Sequence, residues 1–388
     1  MSNIYIHTFG CQMNVHDSEI ISGVFEKQGH TITASLHDAD VVILNTCAIR
    51  DHAEKKVYSM IGSLKKKRQD PNHRLNTIAI CGCVAQDRGQ EIIKKYPYVD
   101  MVVGTKDIDK LVMMVNSGLM NQAPTNTEDT LRGQLNQTVK NKRVHVDGDA
   151  YFEPGADVIK RDCDYKAWVS IIKGCENFCS YCVVPYVRGK EISRPKHEIL
   201  EEIKKLGDSG VKEICLLGQN VNSYRDNSGL MNQAPTNTNM NMNININTNM
   251  TYGFVDLLND IDKLNAVPRI KFITSHPKDI SLELLYAMRD LKSVCEFLHF
   301  PAQSGSNKIL KLMNRGYTRE KYIELVHKAR EIAPNITIGT DFIVGFPGET
   351  NEDFKETVSL MQELKFDIGY FFKYSKRKGT KAYAFDNH

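Results

Sequence analysis

Three closely spaced cysteines are the side chains of this sequence best suited to chemistry. Cys175, Cys179 and Cys182 form a CxxxCxxC pattern on one short stretch. Soft thiolates select zinc, copper(I) or iron–sulfur clusters, and structural zinc usually takes four ligands from two CxxC pairs. An isolated trio is better suited to a four-iron cluster whose fourth iron stays open to chelate a small molecule. A zinc knuckle or a plain electron-transfer cluster is the alternative interpretation.

Three more cysteines recur at intervals of 36 residues nearer the amino terminus. Cys11, Cys47 and Cys83 each come just after a predicted strand. Loops past the carboxyl ends of parallel strands share one edge of a sheet, so these cysteines could meet at one point. Free cysteines of an ordinary core are the alternative, since this residue type is often buried. Four other cysteines receive the core interpretation alone: Cys81, Cys163, Cys215 and Cys295.

The first 116 residues alternate short apolar runs with helical patterns. Strands are predicted over Asn3–Phe9, Asp40–Asn45, Thr77–Cys81 and Val99–Gly104. Helices are predicted over Asp17–Gln28, His52–Lys67, Arg88–Tyr96 and Ile108–Asn116. This βα repetition indicates an α/β domain with an open parallel, Rossmann-like sheet and helices on its faces.

The alternation resumes from Lys166 to the end of the chain. Strands are predicted over Trp168–Lys173, Glu213–Gly218, Arg269–Thr274, Glu296–Pro301, Ile336–Val344 and Asp367–Tyr374. Helices are predicted over His197–Asp208, Leu282–Arg289, Asn307–Met313, Arg319–Ile332 and Asn351–Leu364. Six βα units predict an open, partial (β/α)6 barrel, with its active end at the carboxyl ends of the strands. The trio Cys175, Cys179 and Cys182 follows the first of these strands directly.

The sequence is therefore divided into an amino-terminal domain (1–116), a linker (117–160) and a barrel domain (161–388). The peptide SGLMNQAPTNT occurs twice, at 117–127 and at 228–238. The second copy continues into Asn-rich sequence as far as residue 251. Such polar sequence cannot bury a core, so both copies are predicted to be disordered surface insertions.

Four loops at the predicted active end combine small polar residues with glycines. They read GQNVN, SHP, PAQSGS and DFIVGFPGET. Glycine lets the backbone approach a ligand closely, and the amides and hydroxyls suit a polar ligand. Turn chemistry alone is the alternative for any single loop. The candidate residues on these loops are Gln219, Asn220, Ser275, Gln303 and Gly345.

Two arginines and a histidine are less specific signals. Arg188 and Arg194 could form bidentate contacts to a carboxylate or a phosphate, or could be ordinary surface arginines. His276 could be a ligand or an acid/base, and a hydrogen-bonded structural role suits it equally well.

Composition places the chain among ordinary globular proteins. Its 388 residues are 41% hydrophobic and 25% charged, and a net charge of +3 is too small to indicate a nucleic-acid partner by itself. There is neither a run of 18 apolar residues nor an amino-terminal secretory pattern. We therefore expect a cytoplasmic protein, in which clustered cysteines indicate metal binding or catalysis rather than disulfides.

Taken together, these motifs resemble the methylthiotransferases of the radical S-adenosylmethionine (SAM) superfamily over nearly the whole chain, the insertions excepted. The resemblance is carried by TFGCQMNVHDSE (8–19), NTCAIRDHAEKKV (45–57), GCVAQ (82–86), GCENFCSYCVVPYVRGKEISRP (174–195), LLGQNVNSY (216–224), TSHP, PAQSGS and DFIVGFPGET. Within that family CQMN, VVPYVRGKE and GQNVN are most similar to the MiaB-type branch, which modifies isopentenylated adenosine in tRNA.

The resemblance implies two 4Fe–4S clusters and SAM as cofactors. The implied ligands of an auxiliary cluster are Cys11, Cys47 and Cys83. The implied ligands of the SAM-binding cluster are Cys175, Cys179 and Cys182. The implied SAM contacts are Tyr181, Gln219, Asn220, Ser275, Gln303 and Gly345. One SAM would methylate sulfur at the auxiliary cluster, and a second would yield a radical that removes hydrogen from carbon 2 of N6-isopentenyladenosine beside the anticodon.

The resemblance also implies partners. These are tRNA, a flavodoxin-type reductant and a sulfur donor of unspecified identity, for a monomer without a membrane association. Family members continue past the barrel into an all-β RNA-binding domain called TRAM. This chain ends at His388, where that region should begin, so a TRAM domain is expected to be absent. The alternatives are a methylthiotransferase acting on threonylcarbamoyl adenosine or on a ribosomal-protein aspartate, and a non-catalytic iron–sulfur or zinc module.

Overall fold

A computed structural model describes residues 1–48, 51–120, 143–148, 151–226 and 252–388. They form two compact units: residues 1–162 with 182–189, and residues 163–181 with 190–388. Most of the first copy of the repeated peptide, and all of the second, lie outside the described residues. Residues 117–120, the start of the first copy, end the helix Ile108–Met120, so the predicted disorder is wrong there; for the rest of both copies it stays a prediction.

The first unit is built on a six-stranded parallel sheet. Its strands are β1 (Asn3–Thr8), β2 (Thr31–Ile32), β3 (Val41–Thr46), β4 (Thr77–Gly82), β5 (Met101–Val103) and β6 (Val144–His145). Their order across the sheet is β2-β1-β3-β4-β5-β6, and every pair is parallel. The strand order reverses between β1 and β3, which is where open α/β sheets form a ligand-binding crevice.

Helices cover both faces of this sheet. They are α1 (Gln12–Lys27), α2 (Asp51–Gln69), α3 (Cys83–Lys95) and α4 (Ile108–Met120), with a short α5 (Val184–Arg188). Strands β3 and β4 are buried along their whole length, as parallel strands covered on both faces must be. Consecutive residues of β3 point to opposite faces of the sheet and join different hydrophobic cores. Leu44 belongs to the same core as Ile61 of α2, whereas Ile43 belongs to the same core as Phe25 of α1. The predicted parallel α/β sheet is confirmed.

The second unit is an open, partial barrel. Its strands are β7 (Lys166–Ser170), β8 (Ile172–Lys173), β9 (Ile192–Ser193), β10 (Glu213–Leu217), β11 (Arg225–Asp226), β12 (Tyr252–Gly253), β13 (Arg269–Phe272), β14 (Phe297–His299), β15 (Thr337–Val344) and β16 (Ile368–Lys373). Strands β7, β10 and β13 form one parallel group, and β14, β15 and β16 form another. A parallel bridge between Ile270 and Val294 links the groups. The six barrel strands thus follow chain order, and the predicted partial (β/α)6 barrel is confirmed.

The helices of the second unit alternate with its strands. They are α6 (Lys196–Asp208), α7 (Phe254–Leu264), α8 (Leu282–Asp290), α9 (Asn307–Leu312), α10 (Arg319–Ile332) and α11 (Asn351–Leu364). The two antiparallel pairs, β8 with β9 and β11 with β12, are short hairpin-like additions. No described helix has both the length and the apolar character needed to cross a membrane.

Several element boundaries differ from the sequence pattern for physical reasons. Helix α1 begins at Gln12 rather than Asp17, because its first turns bury the polar side chains of Asn14 and His16 and so lack an apolar periodicity. Helix α3 begins at Cys83, and a non-helical backbone at Arg88 (φ −131°, ψ 24°) interrupts its pattern.

Candidate functional site

Cys11, Cys47 and Cys83 lie at the carboxyl ends of β1, β3 and β4. Cys11 is the N-cap residue of α1, and Cys83 is the first residue of α3. Strand β3 lies between β1 and β4 in the sheet. The three turns therefore share one edge, at the reversal of strand order. The structure brings together three residues that are far apart in sequence.

The three thiols interact at this edge. A hydrogen bond with Cys47 is the main reason that the pKa of Cys11 falls to about 6; burial opposes this shift and the charge of Arg188 supports it. The Sγ of Cys11 also lies 3.3 Å from Oδ1 of Asn14. Burial raises the pKa of Cys83, which interacts electrostatically with both Arg188 and Cys11. The surroundings thus favour a thiolate at Cys11, whereas burial disfavours one at Cys83.

A glycine directly precedes two of these cysteines. Gly10 has a φ of +108° and Gly82 a φ of +89°. A Cβ on Gly10 would lie 2.1 Å from the Cβ of Cys47, and one on Gly82 would lie 2.5 Å from the carbonyl oxygen of Thr46. Glycine is needed at both positions because the cysteine-bearing turns pass too close to each other for any side chain.

Arg188 is buried beside this trio and forms one hydrogen bond to a carboxylate of the chain itself, so its interpretation as a surface arginine is wrong, and a bidentate contact to a ligand stays a prediction. It is 2% exposed, and its Nη2 donates to Oδ2 of Asp17 at 2.8 Å and lies 3.3 Å from Oδ1 of Asn14. Nη1 of Arg188 and Oδ1 of Asp17 are buried with no hydrogen-bond partner in the described part of the chain. An unsatisfied buried polar atom costs about 1–3 kcal/mol. The orphaned Nη1 donor of Arg188 and three adjacent thiols fit a bound anionic cluster.

Within the described ranges, no group of three or more His, Cys, Asp or Glu side chains is close enough to hold a single metal ion. The ligands of a four-iron cluster bind different iron atoms. Their sulfurs are therefore spaced more widely than the ligands of one ion.

The second trio follows the first barrel strand, as the sequence pattern predicts. Cys175 and Cys179 are each 8% exposed and belong to the second unit, and Cys182 begins the segment 182–189 of the first unit. Burial raises the pKa of Cys175 to about 11. Gly174, just before it, has a φ of +83° and turns the chain out of β8.

Arg315 is a functional candidate that the sequence analysis missed. It lies in the turn after α9 and is 4% exposed. Its Nη1 lies 3.3 Å from the Sγ of Cys179 and 3.3 Å from the hydroxyl of Tyr181. A weak sequence signal exists, because Arg315 stands between the apolar residue Met313 and the aromatic residue Tyr317.

His276 makes a second hydrogen bond to Cys179. Its Nδ1 accepts from the backbone N–H of Lys278 at 3.2 Å, so its proton is on Nε2, which lies 3.9 Å from the Sγ of Cys179. Burial, aided by the charge of Arg315, lowers the pKa of His276 to about 2. His276 is therefore neutral and donates to the sulfur, which agrees with the hydrogen-bonded role among its interpretations.

Gln219 and Asn220 follow β10 and hold neighbouring loops in place. Oε1 of Gln219 accepts from the backbone N–H of Gly174 at 2.5 Å, in the turn before the cysteine trio. Asn220 is 1% exposed, donates to Oδ2 of Asp279 at 2.6 Å and accepts from the backbone N–H of His276 at 3.3 Å. Both amides connect the loop after β10 to residues around Cys179.

The remaining predicted ligand contacts include two buried polar atoms with unused hydrogen-bonding capacity. Neither Oγ of Ser275 nor Oε1 of Gln303 has a partner among the described residues. Gln303 also has a φ of +68°, which is strained for a side chain of this kind. Gly345 has a φ of +71°, and a Cβ there would meet no described atom within 4 Å. The hydroxyl of Tyr181 lies against Arg315. These residues fit a polar ligand.

Two family models match the sequence. Residues 3–104 match a family described as uncharacterized protein family UPF0004, and residues 169–361 match the radical SAM superfamily. The chain is 45% identical over 385 residues to the tRNA-2-methylthio-N(6)-dimethylallyladenosine synthase of Thermoanaerobacter sp. (strain X514), covering 98% of this chain and 73% of that protein. The chain belongs to this family. A synthase of the same name from Caldicellulosiruptor saccharolyticus is 43% identical, with 99% of this chain and 73% of that protein covered.

Solved structures share the fold of this methylthiotransferase. The radical S-adenosylmethionine methyltransferase TsrM from Kitasatospora setae has a TM-score of 0.60 at 14% identity, over 96% of this chain and 75% of that one. The cobalamin-dependent S-adenosylmethionine radical enzyme OxsB has a TM-score of 0.56 at 11% identity, over 100% of this chain and 55% of that one. At these identities the likeness concerns the fold alone. Family membership confirms the resemblance inferred from the motifs, and with it SAM and 4Fe–4S clusters as the cofactors.

Proposed function

We propose that this methylthiotransferase attaches a methylthio group to carbon 2 of N6-isopentenyladenosine next to the anticodon of tRNA. The observation that carries the proposal is 45% identity, over 98% of the chain, to a synthase named for this product. The hydrogen on carbon 2 is not acidic, so a general base cannot activate that position. When bound, the clusters and two SAM molecules would supply the radical and sulfur-transfer chemistry, and the protein would position them and exclude water.

We assign the auxiliary cluster to Cys11, Cys47 and Cys83. The support is their common sheet edge, the hydrogen bond between Cys11 and Cys47, and the close approach permitted by Gly10. The orphaned Nη1 of Arg188 offers a donor to the cluster or to its sulfur ligands.

We assign the SAM-binding cluster to Cys175, Cys179 and Cys182. Their spacing supports this assignment, as do the two hydrogen bonds that Cys179 receives from Arg315 and His276. Hydrogen-bonded thiolates are the usual ligands of such clusters.

The proposed SAM contacts fall into three groups. Ser275 and Gln303 are the strongest, because each has a buried polar atom without a partner in the described residues. Gln219 and Asn220 act mainly by fixing loops around the cluster, since their amides are already engaged. Gly345 provides backbone access, and Tyr181 supports Arg315.

The partners and cellular setting follow from the proposed substrate. A tRNA substrate places the enzyme in the cytoplasm, and reduction of the SAM-binding cluster calls for a one-electron donor such as flavodoxin. We propose a monomer without membrane association. The division into residues 1–116, 117–160 and 161–388 stays a prediction.

The decisive experiment expresses the chain in cells lacking their own synthase and examines their tRNA by mass spectrometry. The expected result is the return of the methylthio group on N6-isopentenyladenosine. Return of a methylthio group on threonylcarbamoyl adenosine, or on a ribosomal-protein aspartate, would replace the substrate assignment.

A matched pair of cysteine variants tests the ligand assignment. Cys83→Ala is expected to lose about half of the iron of anaerobically reconstituted protein, whereas Cys81→Ala is expected to keep all of it. Both cysteines are 1% exposed and two residues apart, but Cys81 packs into the core on the opposite face of the sheet. Equal iron contents in the two variants would contradict the assignment.

A further inference from the structure

Arg315 is a buried cation that is not paired with a carboxylate of the described residues. Its guanidinium is fully enclosed, and the groups that interact most with its charge are Tyr181, Tyr317 and Cys179. No Asp or Glu of the described residues forms an ion pair with it. An isolated charge is costly to bury, so buried cations are normally paired with an anion. A negative charge at or near Cys179 would therefore stabilise the buried guanidinium of Arg315.

The guanidinium is fixed on three sides by hydrogen bonds. Nη1 lies 3.3 Å from the Sγ of Cys179, Nη2 donates to the carbonyl of Pro301 at 3.1 Å, and Nε lies 3.0 Å from the hydroxyl of Tyr317. That hydroxyl donates in turn to the carbonyl of Ala302 at 2.9 Å. The planar fork of arginine suits such a fixed arrangement, which lysine can reproduce only as a point charge.

We propose that Arg315 is a positioning residue that hydrogen-bonds the Cys179 ligand of the SAM-binding cluster and makes this cluster easier to reduce. The inference rests on the proposed function in assigning Cys179 to that cluster. Reduction adds an electron, so a fixed positive charge beside a ligand sulfur stabilises the reduced state more than the oxidised state. Hydrogen bonds to sulfur and local charge are established determinants of cluster potentials. The neutral His276 adds a second donor to the same sulfur without adding charge.

The test measures the midpoint potential of the SAM-binding cluster by redox titration followed by electron paramagnetic resonance. The protein carries Cys11→Ala, Cys47→Ala and Cys83→Ala, so that the SAM-binding cluster alone gives a signal. Arg315→Gln removes the charge, and Arg315→Lys retains it. Met313→Ala is the matched control, because it removes a fully buried side chain from the same turn and leaves the charge.

Arg315→Gln is expected to lower the ratio of reduced to oxidised cluster at least tenfold at fixed potential, which is a shift of 59 mV for one electron. Arg315→Lys and Met313→Ala are expected to shift the midpoint potential by less than 59 mV. An unchanged midpoint in Arg315→Gln, with iron retained, would overturn the proposal. If Arg315→Gln loses its iron, the Arg315→Lys variant decides. An Arg315→Lys protein that keeps its iron and has a near-normal midpoint potential supports an effect of charge, whereas one that loses its iron overturns the proposal. Absence of any cluster signal before substitution of Arg315 would refute the ligand assignment itself.

Discussion

Replacing Gly10 by alanine would displace Cys47 without removing any sulfur. The new Cβ would lie 2.1 Å from the Cβ of Cys47 and 2.6 Å from its Sγ, whereas ordinary contacts begin near 3.4 Å. Cys47 would have to move by roughly 1.3 Å to restore normal packing. Because Cys47 is 1% exposed and follows a fully buried strand, that movement would disrupt the three-cysteine edge.

The energetic cost has two separable parts. A side chain at a φ of +108° is strained by about 1–3 kcal/mol, and the overlap with Cys47 adds about 1–3 kcal/mol of overpacking. Gly210→Ala is the matched control, because Gly210 has a φ of +95° but a Cβ there would meet no described atom within 4 Å. The control variant should therefore be destabilised by the backbone strain alone.

The assay is the iron content of anaerobically reconstituted protein, together with the free energy of unfolding in urea. Gly10→Ala is expected to retain about half of the iron, whereas Gly210→Ala should retain all of it. Iron contents that match the unsubstituted protein in both variants would show that the spacing of Gly10 and Cys47 does not matter to the cluster. Equal iron losses in both variants would point to general destabilisation instead.

Three further predictions concern a buried ion pair, a ligand contact and a helix cap. Arg188→Met should lower the free energy of unfolding by about 3–5 kcal/mol, because it leaves the carboxylate of Asp17 buried and unpaired. In urea titrations, adding Asp17→Asn should restore much of the lost stability. Losses that simply add in the double variant would contradict the pairing. Gln303→Ala should weaken SAM binding about tenfold in equilibrium dialysis with iron content unchanged, and unaltered affinity would remove Gln303 from the SAM site. Thr350→Ala should lower the free energy of unfolding by about 1 kcal/mol, because the Thr350 hydroxyl accepts from the backbone N–H of Asp353 at the start of α11. An unfolding midpoint in urea equal to that of the unsubstituted chain would exclude the cap as a source of stability.

Part of the site could be predicted because its signals are local. The offsets within CxxxCxxC fix three thiols on one short loop whatever the rest of the fold does. The apolar runs of β3 and β4 likewise predict strands, and both strands are completely buried. Polar residues in the first turns of α1 hid its start, because burial of Asn14 and His16 depends on distant partners such as Asn45 and Arg161.

The sequence alone determined which residues are cysteines, how they are spaced and that strands and helices alternate, since these depend on residue type and short-range periodicity. Only the tertiary structure decided that β1, β3 and β4 are neighbours, and hence that Cys11, Cys47 and Cys83 meet at one edge. The tertiary structure also decided that Arg188 and Arg315 are buried against cysteines. A charged side chain gives no periodic signal of burial, because what makes its burial tolerable is the partner that packing brings to it.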